Sequence, residues 1–382
     1  MKEQSSDTRS NSHPIELAGK TVHPRTILDV VSFHRGISLE RKRSERSQKF
    51  FLLMLAGVRK IGAGRERREL LEQILDCLCR SIRETDIAGW YEDSHTFGVA
   101  FTEIGCGNSR AEVDGLITAV TTRIQKSLPV EQFSLLRLSF HLYPEDWNET
   151  DGKRPSNPVL YPDLIQRERT RAPFRTIKRA MDIMGSASAL LFLSPAFLLI
   201  AIVIKATSRG PVFFRQRRAG EFGTPFWMLK FRSMYENNDS SVHKEYVAQL
   251  IAGTADKHPS RENGKSVYKL TGDLRVTKLG AFLRRTSLDE LPQLINVLRG
   301  EMSLVGPRPP IDYEVEEYSL WHRRRLIEAK PGITGLWQVG GRNRVPFDEM
   351  VRLDLEYARS WSPWLDFKIL LRTPKAVLEG AY

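Results

Sequence analysis

The sequence predicts an α/β chain in two parts: an N-terminal ferredoxin-like split βαβ domain over residues 31–148, and a C-terminal, mainly helical α+β domain over 174–382 that carries a membrane helix. Three observations predict it. Apolar periodicity between residues 50 and 143 alternates between strand and helix. Prolines at 144, 155, 158, 162 and 173 fall among polar residues, so 149–173 reads as a linker. Residues 183–204, IMGSASALLFLSPAFLLIAIVI, carry no charge.

Residues 1–30 are polar and aperiodic and read as a disordered tail without the apolar core of a signal peptide. FFLLML (50–55) is a short apolar run before Gly57, Gly62 and Gly64, and reads as a buried strand. Leu70, Leu71, Ile74, Leu75, Leu78 and Ile82 then share one helical face. Strand candidates follow near 86–91 and 96–101. Val113, Leu116, Ile117, Val120, Ile124 and Leu128 form a second helical face, and SLLRLSFHLYP closes the block as an alternating strand. The order is strand, helix, strand, strand, helix, strand, which is the split βαβ pattern.

Of 382 residues, 58 are Lys or Arg and 46 are Asp or Glu, a net charge of +12. That balance suits an acidic partner: nucleic acid, anionic lipid or a phosphate substrate. Charge alone does not choose among them. The 3 cysteines form neither a disulfide framework nor a metal-ligand array, which fits a reducing compartment.

The uncharged run is long enough for a bilayer core. Ser194-Pro195 interrupts it, and proline removes a helical hydrogen bond, so a kink is expected there. Lys178 and Arg179 precede the run, and Lys205, Arg209, Arg215, Arg217 and Arg218 follow it. Basic flanks favour the cytoplasmic side at both ends. A broken, re-entrant helix satisfies both ends; a straight span does not.

The C-terminal part is dense in short motifs. In SLDELPQL (287–294), Ser287 and Glu290 have capping-box spacing, with Leu291, Leu294, Ile295 and Leu298 as an apolar stripe that Gly300 ends. A well-capped helix explains this stretch by itself. Its surroundings add chemistry. Arg284 and Arg285 come just before Asp289, and Arg308 sits in a Pro-Arg-Pro turn. Arginines keep a carboxylate ionised and grip phosphate. An ionised carboxylate can attack phosphorus to give an acyl phosphate. The competing reading is that these arginines bind anionic lipid headgroups.

FRTIKRAMDI, Ser194-Pro195, KFRSM (230–234), SLDELPQ, SLVGPRPP (303–310), PGITGLWQV (331–339) and the closing D-x-x-Y…W-S…D pattern occur in one order. Together they resemble the bacterial sugar transferases, the monotopic phosphoglycosyl transferases. The resemblance implies a re-entrant helix kinked at Ser194 and Pro195 and a catalytic pair, Asp289 and Glu290, which also bind Mg2+. It implies that Asp289 attacks a UDP-sugar and expels UMP, and that undecaprenyl phosphate then takes the sugar phosphate. By motif position, Lys230, Arg284, Arg308, Arg342, Asp354 and Asp366 are the substrate-binding candidates. The stretch GLWQVGGRN is similar to members that initiate exopolysaccharide, capsule or O-antigen repeats. The implied location is the cytoplasmic face of the bacterial inner membrane.

Residues 31–148 resemble a degenerate GGDEF domain. RETDIAGWYEDSHTFGVAF (83–101) stands where active members carry their Gly-Gly-acid-acid-Phe turn, without the glycine pair, and FFLLML lacks a metal-binding aspartate. The resemblance implies no cyclase activity, and a structural or regulatory role that includes homodimerisation. Two other functions compete with the enzyme reading. A membrane-tethered, non-catalytic regulator would have lost its nucleophile, whereas Asp289 is present. A nucleic-acid binder rests on charge alone, with no aromatic-basic module or recognition helix, so no nucleic-acid partner is expected.

Overall fold

The computed structural model describes residues 27–58, 64–79, 82–92, 95–104, 109–144, 157–235, 241–255, 258–259, 266–267, 275–341 and 344–380. Residues 1–26 and 145–156, and Arg342, lie outside them. Helices and strands mix in both halves of the chain.

Helix α1 (Val30–Ser47) opens the described chain, and Asp29 caps it by accepting from the Ser32 amide at 2.6 Å. Strand β1 (Phe50–Val58), α2 (Gly64–Cys79), β2 (Ile87–Glu92), β3 (Thr96–Ile104), α3 (Ser109–Ser127), short α4 (Val130–Leu135) and β4 (Leu136–Tyr143) follow. The sheet order is β2-β3-β1-β4, and every pair is antiparallel. Side chains alternate across a strand, and β1 is apolar on both faces for that reason. Leu52, Met54 and Ala56 join the core under α2 and α3, including all six apolar residues expected on α2 and after it. Phe51, Leu53 and Leu55 face α1, whose Phe33 and Ile37 are fully buried.

Two expectations are corrected here. The tail ends earlier than residue 30, because the Leu28 backbone pairs with strand β2: its amide donates to the Ala88 carbonyl and its carbonyl accepts from Trp90, both at 3.0 Å. The linker is helical from Pro162. A proline in a first turn has no amide to leave unpaired, so one helix, α5 (Pro162–Thr207), runs through Pro173 and Pro195. Arg41 of α1 ties its start, donating to the Leu160 carbonyl at 2.9 Å and to Asp163 at 3.0 Å.

The C-terminal half begins with α5. Hairpin β5 (Phe213–Ala219) and β6 (Pro225–Phe231) pairs Phe214 with Lys230. Then come α6 (Ser241–Ile251), the two-residue pair β7 (His258–Pro259) and β8 (Ser266–Val267), α7 (Lys278–Arg285), and α8 (Gln293–Arg299). Strands β9 (Ser303–Val305) and β10 (Gly332–Thr334) form a parallel pair. Helices α9 (Asp312–Glu316) and α10 (Leu320–Glu328) lie between them. Helices α11 (Leu336–Gly340), α12 (Phe347–Ser360) and α13 (Pro363–Gly380) complete the fold.

The basic residues before the apolar run are used inside the protein. Arg179 donates to the Val297 and Leu298 carbonyls at 2.7 Å each, closing the C-terminal end of α8. Lys178 donates to Asp366 at 2.7 Å and to the Val305 carbonyl at 3.0 Å. Asp182 accepts from Ser303 Oγ and the Leu304 amide. Beyond them Leu191, Phe192, Leu198 and Leu199 are exposed, and Ile200 and Ile204 return to a core with Phe231 and Leu283.

Candidate functional site

A cavity of about 860 Å³ opens between β5, β6, α7 and the segment carrying Arg308. It brings together four of the expected residues: Lys230, Arg284, Asp289 and Arg308. Lys230 comes from the end of β6. Arg284 comes from α7 and donates through Nε to Ser233 Oγ at 2.9 Å. Gly280 lets α7 approach that closely: a Cβ there would stand 1.9 Å from the Ser233 carbonyl oxygen.

Asp289 is placed differently from the expected first turn of a capped helix. Ser287 makes no side-chain cap and turns the chain in the left-handed region (φ 55°, ψ 17°). Such a conformation is strained for a residue with a Cβ. A 3₁₀ turn, Leu288–Glu290, follows, and α8 starts only after Pro292. An N-cap needs extended backbone; Ser287 is left-handed and the Glu290 amide donates to its carbonyl at 3.2 Å, so the expected capping box does not form. The buried face of α8 is also shifted: Gln293, Leu294, Asn296 and Val297 are buried, whereas Leu291, Ile295 and Leu298 are only half-buried.

Asn296 sets the site's geometry. It is fully buried and bridges α8 to β6, its Oδ1 accepting from the Leu229 amide at 3.0 Å and its Nδ2 donating to the Trp227 carbonyl at 2.8 Å. That clamp holds β6 beside the 3₁₀ turn, and Lys230 meets Glu290 at 2.9 Å. Nothing in the expected helical stripe singled Asn296 out; the signal is one polar residue on a buried helical face.

The carboxylates titrate apart. Burial pushes the Asp289 carboxyl up and the Glu290 charge adds to it, against the pull of Lys230 and Arg284, so the net shift is upward. For Glu290 burial also acts upward, but the Lys230 ion pair and hydrogen bond, with Arg308 and Arg218, hold it well below the ordinary range.

Arg218 lines the same cavity, is 3% exposed and was not among the expected site residues. Its hydrogen bonds go to Gln216 Oε1 and, at 2.8 Å, to the Pro309 carbonyl. The carboxylates whose charge reaches it are Glu314 and Glu290. Burial and the neighbouring Arg308 disfavour its charge, and Glu314 and Glu290 offset them in part. Its sequence signal was its place in the basic run RQRR, which charge alone could not distinguish from a solvated face. Helix α6 adds His243, whose Nδ1 lies 2.6 Å from Tyr313 Oη on the cavity wall.

Asp354 and Asp366 do not line this cavity. Asp354 is buried against Arg325 at 2.5 Å. Asp366 accepts from Lys178, from Tyr357 Oη at 2.7 Å and from Trp361 Nε1 at 3.0 Å. Both hold helices together. Arg325 also donates to the Arg308 carbonyl at 3.3 Å, which links Asp354 to the site indirectly.

The cavity sets a single carboxylate among arginines and a lysine, on the same half of the chain as the exposed apolar helix. The profile of the family described as bacterial sugar transferase matches residues 174–380, and the chain belongs to that family. The exopolysaccharide production protein ExoY of Rhizobium meliloti is 42% identical over 207 residues, 54% of this chain and 88% of that protein. The undecaprenyl-phosphate galactose phosphotransferase of Salmonella typhimurium is 42% identical over 221 residues, 57% of this chain but only 44% of that protein. A solved DGC protein from Thermotoga maritima covers 32% of this chain and 85% of its own, at 18% identity and a TM-score of 0.25. A likeness that small decides nothing about the N-terminal half.

Proposed function

We propose that the chain transfers a sugar 1-phosphate from a UDP-sugar to undecaprenyl phosphate with release of UMP, and so initiates exopolysaccharide, capsule or O-antigen synthesis. The observation that carries this reading is the buried Asp289 carboxylate facing a cationic cavity. An Asp289 oxygen attacks the β-phosphorus of the donor. The bond from that phosphorus to the bridging oxygen breaks, and UMP leaves with that oxygen. The sugar phosphate remains on Asp289 as an acyl phosphate. An oxygen of the polyprenyl phosphate then attacks the same phosphorus, and Asp289 departs as a carboxylate. Arg218, Arg284 and Arg308 hold the phosphate oxygens, and Lys230 keeps Glu290 ionised.

Two adjacent carboxylates, Asp289 and Glu290, suit Mg2+, which takes one or two carboxylates together with substrate phosphates and water. When bound, Mg2+ would neutralise charge on the diphosphate.

The apolar run is assigned to a re-entrant, monotopic insertion from the cytoplasmic face of the bacterial inner membrane. The support is that both ends of the run pack on the same half of the chain, Asp182 at β9 and Ile204 beside Phe231. The exposed Trp364, Phe367 and Leu371 of α13 extend the apolar surface. The N-terminal half is assigned a ferredoxin-like, degenerate GGDEF-type fold with a regulatory or homodimerising role; its strand order, with β3 between β1 and β2, supports the fold.

The test is UMP release by detergent-purified protein with magnesium, undecaprenyl phosphate and a panel of UDP-sugars. Release with one sugar, lost in Asp289→Asn, is the expected result. Equal release by that variant would overturn the nucleophile. No release with any sugar would favour a non-catalytic, membrane-tethered regulator.

A further inference from the structure

We propose that the chain carries a second anion site, separate from the Asp289 cavity, between α5 and the C-terminal ends of α10 and α12, and that it takes a single phosphate-bearing group. The cavity there has a volume of about 280 Å³ and is lined by Arg167, Arg171, Arg175, Arg179 and Lys330, with Trp361 beside them.

The charges in this cavity do not balance. Arg171 donates to the Ala358 and Arg359 carbonyls at 2.9 and 2.6 Å, and Arg179 to the Val297 and Leu298 carbonyls. Carbonyl dipoles orient these guanidiniums without cancelling their charge. Glu221 is shared between Arg175 at 3.6 Å and Lys330 at 3.7 Å. Glu328 lies 4.0 Å from Arg167 but is held by Arg324 at 2.5 Å. Asp182 is committed to Ser303 and the Leu304 amide. A concave wall with an excess of one sign focuses its field and concentrates counter-ions.

Size and place narrow the ligand. Ligand sites for drug-sized molecules run from roughly 300 to 1,000 Å³, so this cavity fits a small headgroup better than a dinucleotide. Arg179 and Arg175 precede Ile183 by four and eight residues, about 6 and 12 Å along a helix that rises about 1.5 Å per residue. That is headgroup depth if the apolar run begins at the bilayer. The shared chemistry is a phosphate anion, from an acidic phospholipid or from solution.

Full-length protein in detergent would be titrated with short-chain phosphatidylglycerol, with phosphatidylcholine, and with inorganic phosphate. Lipid adducts would be read by native mass spectrometry and phosphate binding by thermal shift. The variant carries Arg167→Gln and Arg175→Gln; these side chains are 39% and 47% exposed and close no helix end, so folding is preserved. Wild type should retain phosphatidylglycerol over phosphatidylcholine, with binding roughly tenfold or more weaker in the double variant. A thermal shift with phosphate alone, lost in the same variant, would identify the soluble source instead. Arg175→Lys should keep either response. Arg218→Met, which alters only the Asp289 cavity, should keep it too. If neither probe separates wild type from the double variant, or if phosphatidylcholine binds equally, the site does not exist.

Discussion

Replacing Asn296 by leucine keeps the volume of a fully buried side chain and deletes the clamp between α8 and β6. The Leu229 amide and the Trp227 carbonyl lose their partners, while Glu301, now bonded to Asn296 Nδ2 at 2.6 Å, turns to solvent. A buried backbone group left unpaired costs about 1–3 kcal/mol, so two cost about 2–6 kcal/mol. For a domain of this size each kcal/mol moves the melting midpoint by about 2–4 °C, so a fall of about 5–20 °C is expected in a detergent melt. Turnover should fall with it, because the clamp sets Lys230 opposite Glu290. Asn296→Asp retains the acceptor for Leu229 and should lose less stability than leucine. A leucine variant that melts within 2 °C of wild type, about 1 kcal/mol or less, and releases UMP at the normal rate would refute the clamp.

The upward shift of Asp289 means that the reactive carboxylate is lost as pH falls through a value above the ordinary aspartate pKa of about 3.9; the acid limb of kcat/KM for UMP release should lie clearly above that, and a limb at or below it contradicts the burial argument. Arg218→Met takes the donor from the Pro309 carbonyl and should cost about 1–3 kcal/mol in the same melt, while kcat/KM falls about 10–100-fold for the loss of a charged hydrogen bond worth about 1.5–3 kcal/mol. Gly280→Ala forces a Cβ onto the Ser233 carbonyl and should cost about 1–3 kcal/mol of stability, as other overpacked sites do, measured by the same melt. Pro195→Leu should place the N-terminal half in the periplasm in a fraction of molecules; reporter tags that remain wholly cytoplasmic would show that Pro195 does not set topology.

The strands and helices of the N-terminal half were legible because each buries one periodic face. Leu70 to Ile82 read as a helical stripe and pack as one. Helix α1 was missed, although Asp29 as a cap and the Phe33–Ile37 spacing mark it, because its basic residues dominate the composition. In the site, Asp289, Lys230, Arg284 and Arg308 were legible through motifs of the family, and the structure gathers them in one cavity. The capping box was not, because Ser-x-x-Glu spacing does not reveal the left-handed turn that Ser287 makes. Arg218 and Asn296 depend on partners 91 and 67 residues away in sequence, a relation no local pattern encodes. Asp354 and Asp366 carried the right residue type but serve buried ion pairs with Arg325 and Lys178.

Ile327 of α10 belongs to the same apolar cluster as Phe33, Ile37 and Phe51 of the N-terminal half, and Arg324 reaches Glu45 of α1 at 3.7 Å. The next residue, Arg325, supports the Arg308 carbonyl. The two halves therefore share a packed contact, and a single transition in a detergent melt is the expected outcome. Cutting the chain at its family boundary would leave a greasy scar on α10 and slacken the Arg308 turn over the Asp289 cavity. Whatever loosens the N-terminal sheet is felt next to Arg325, which donates to the Arg308 carbonyl.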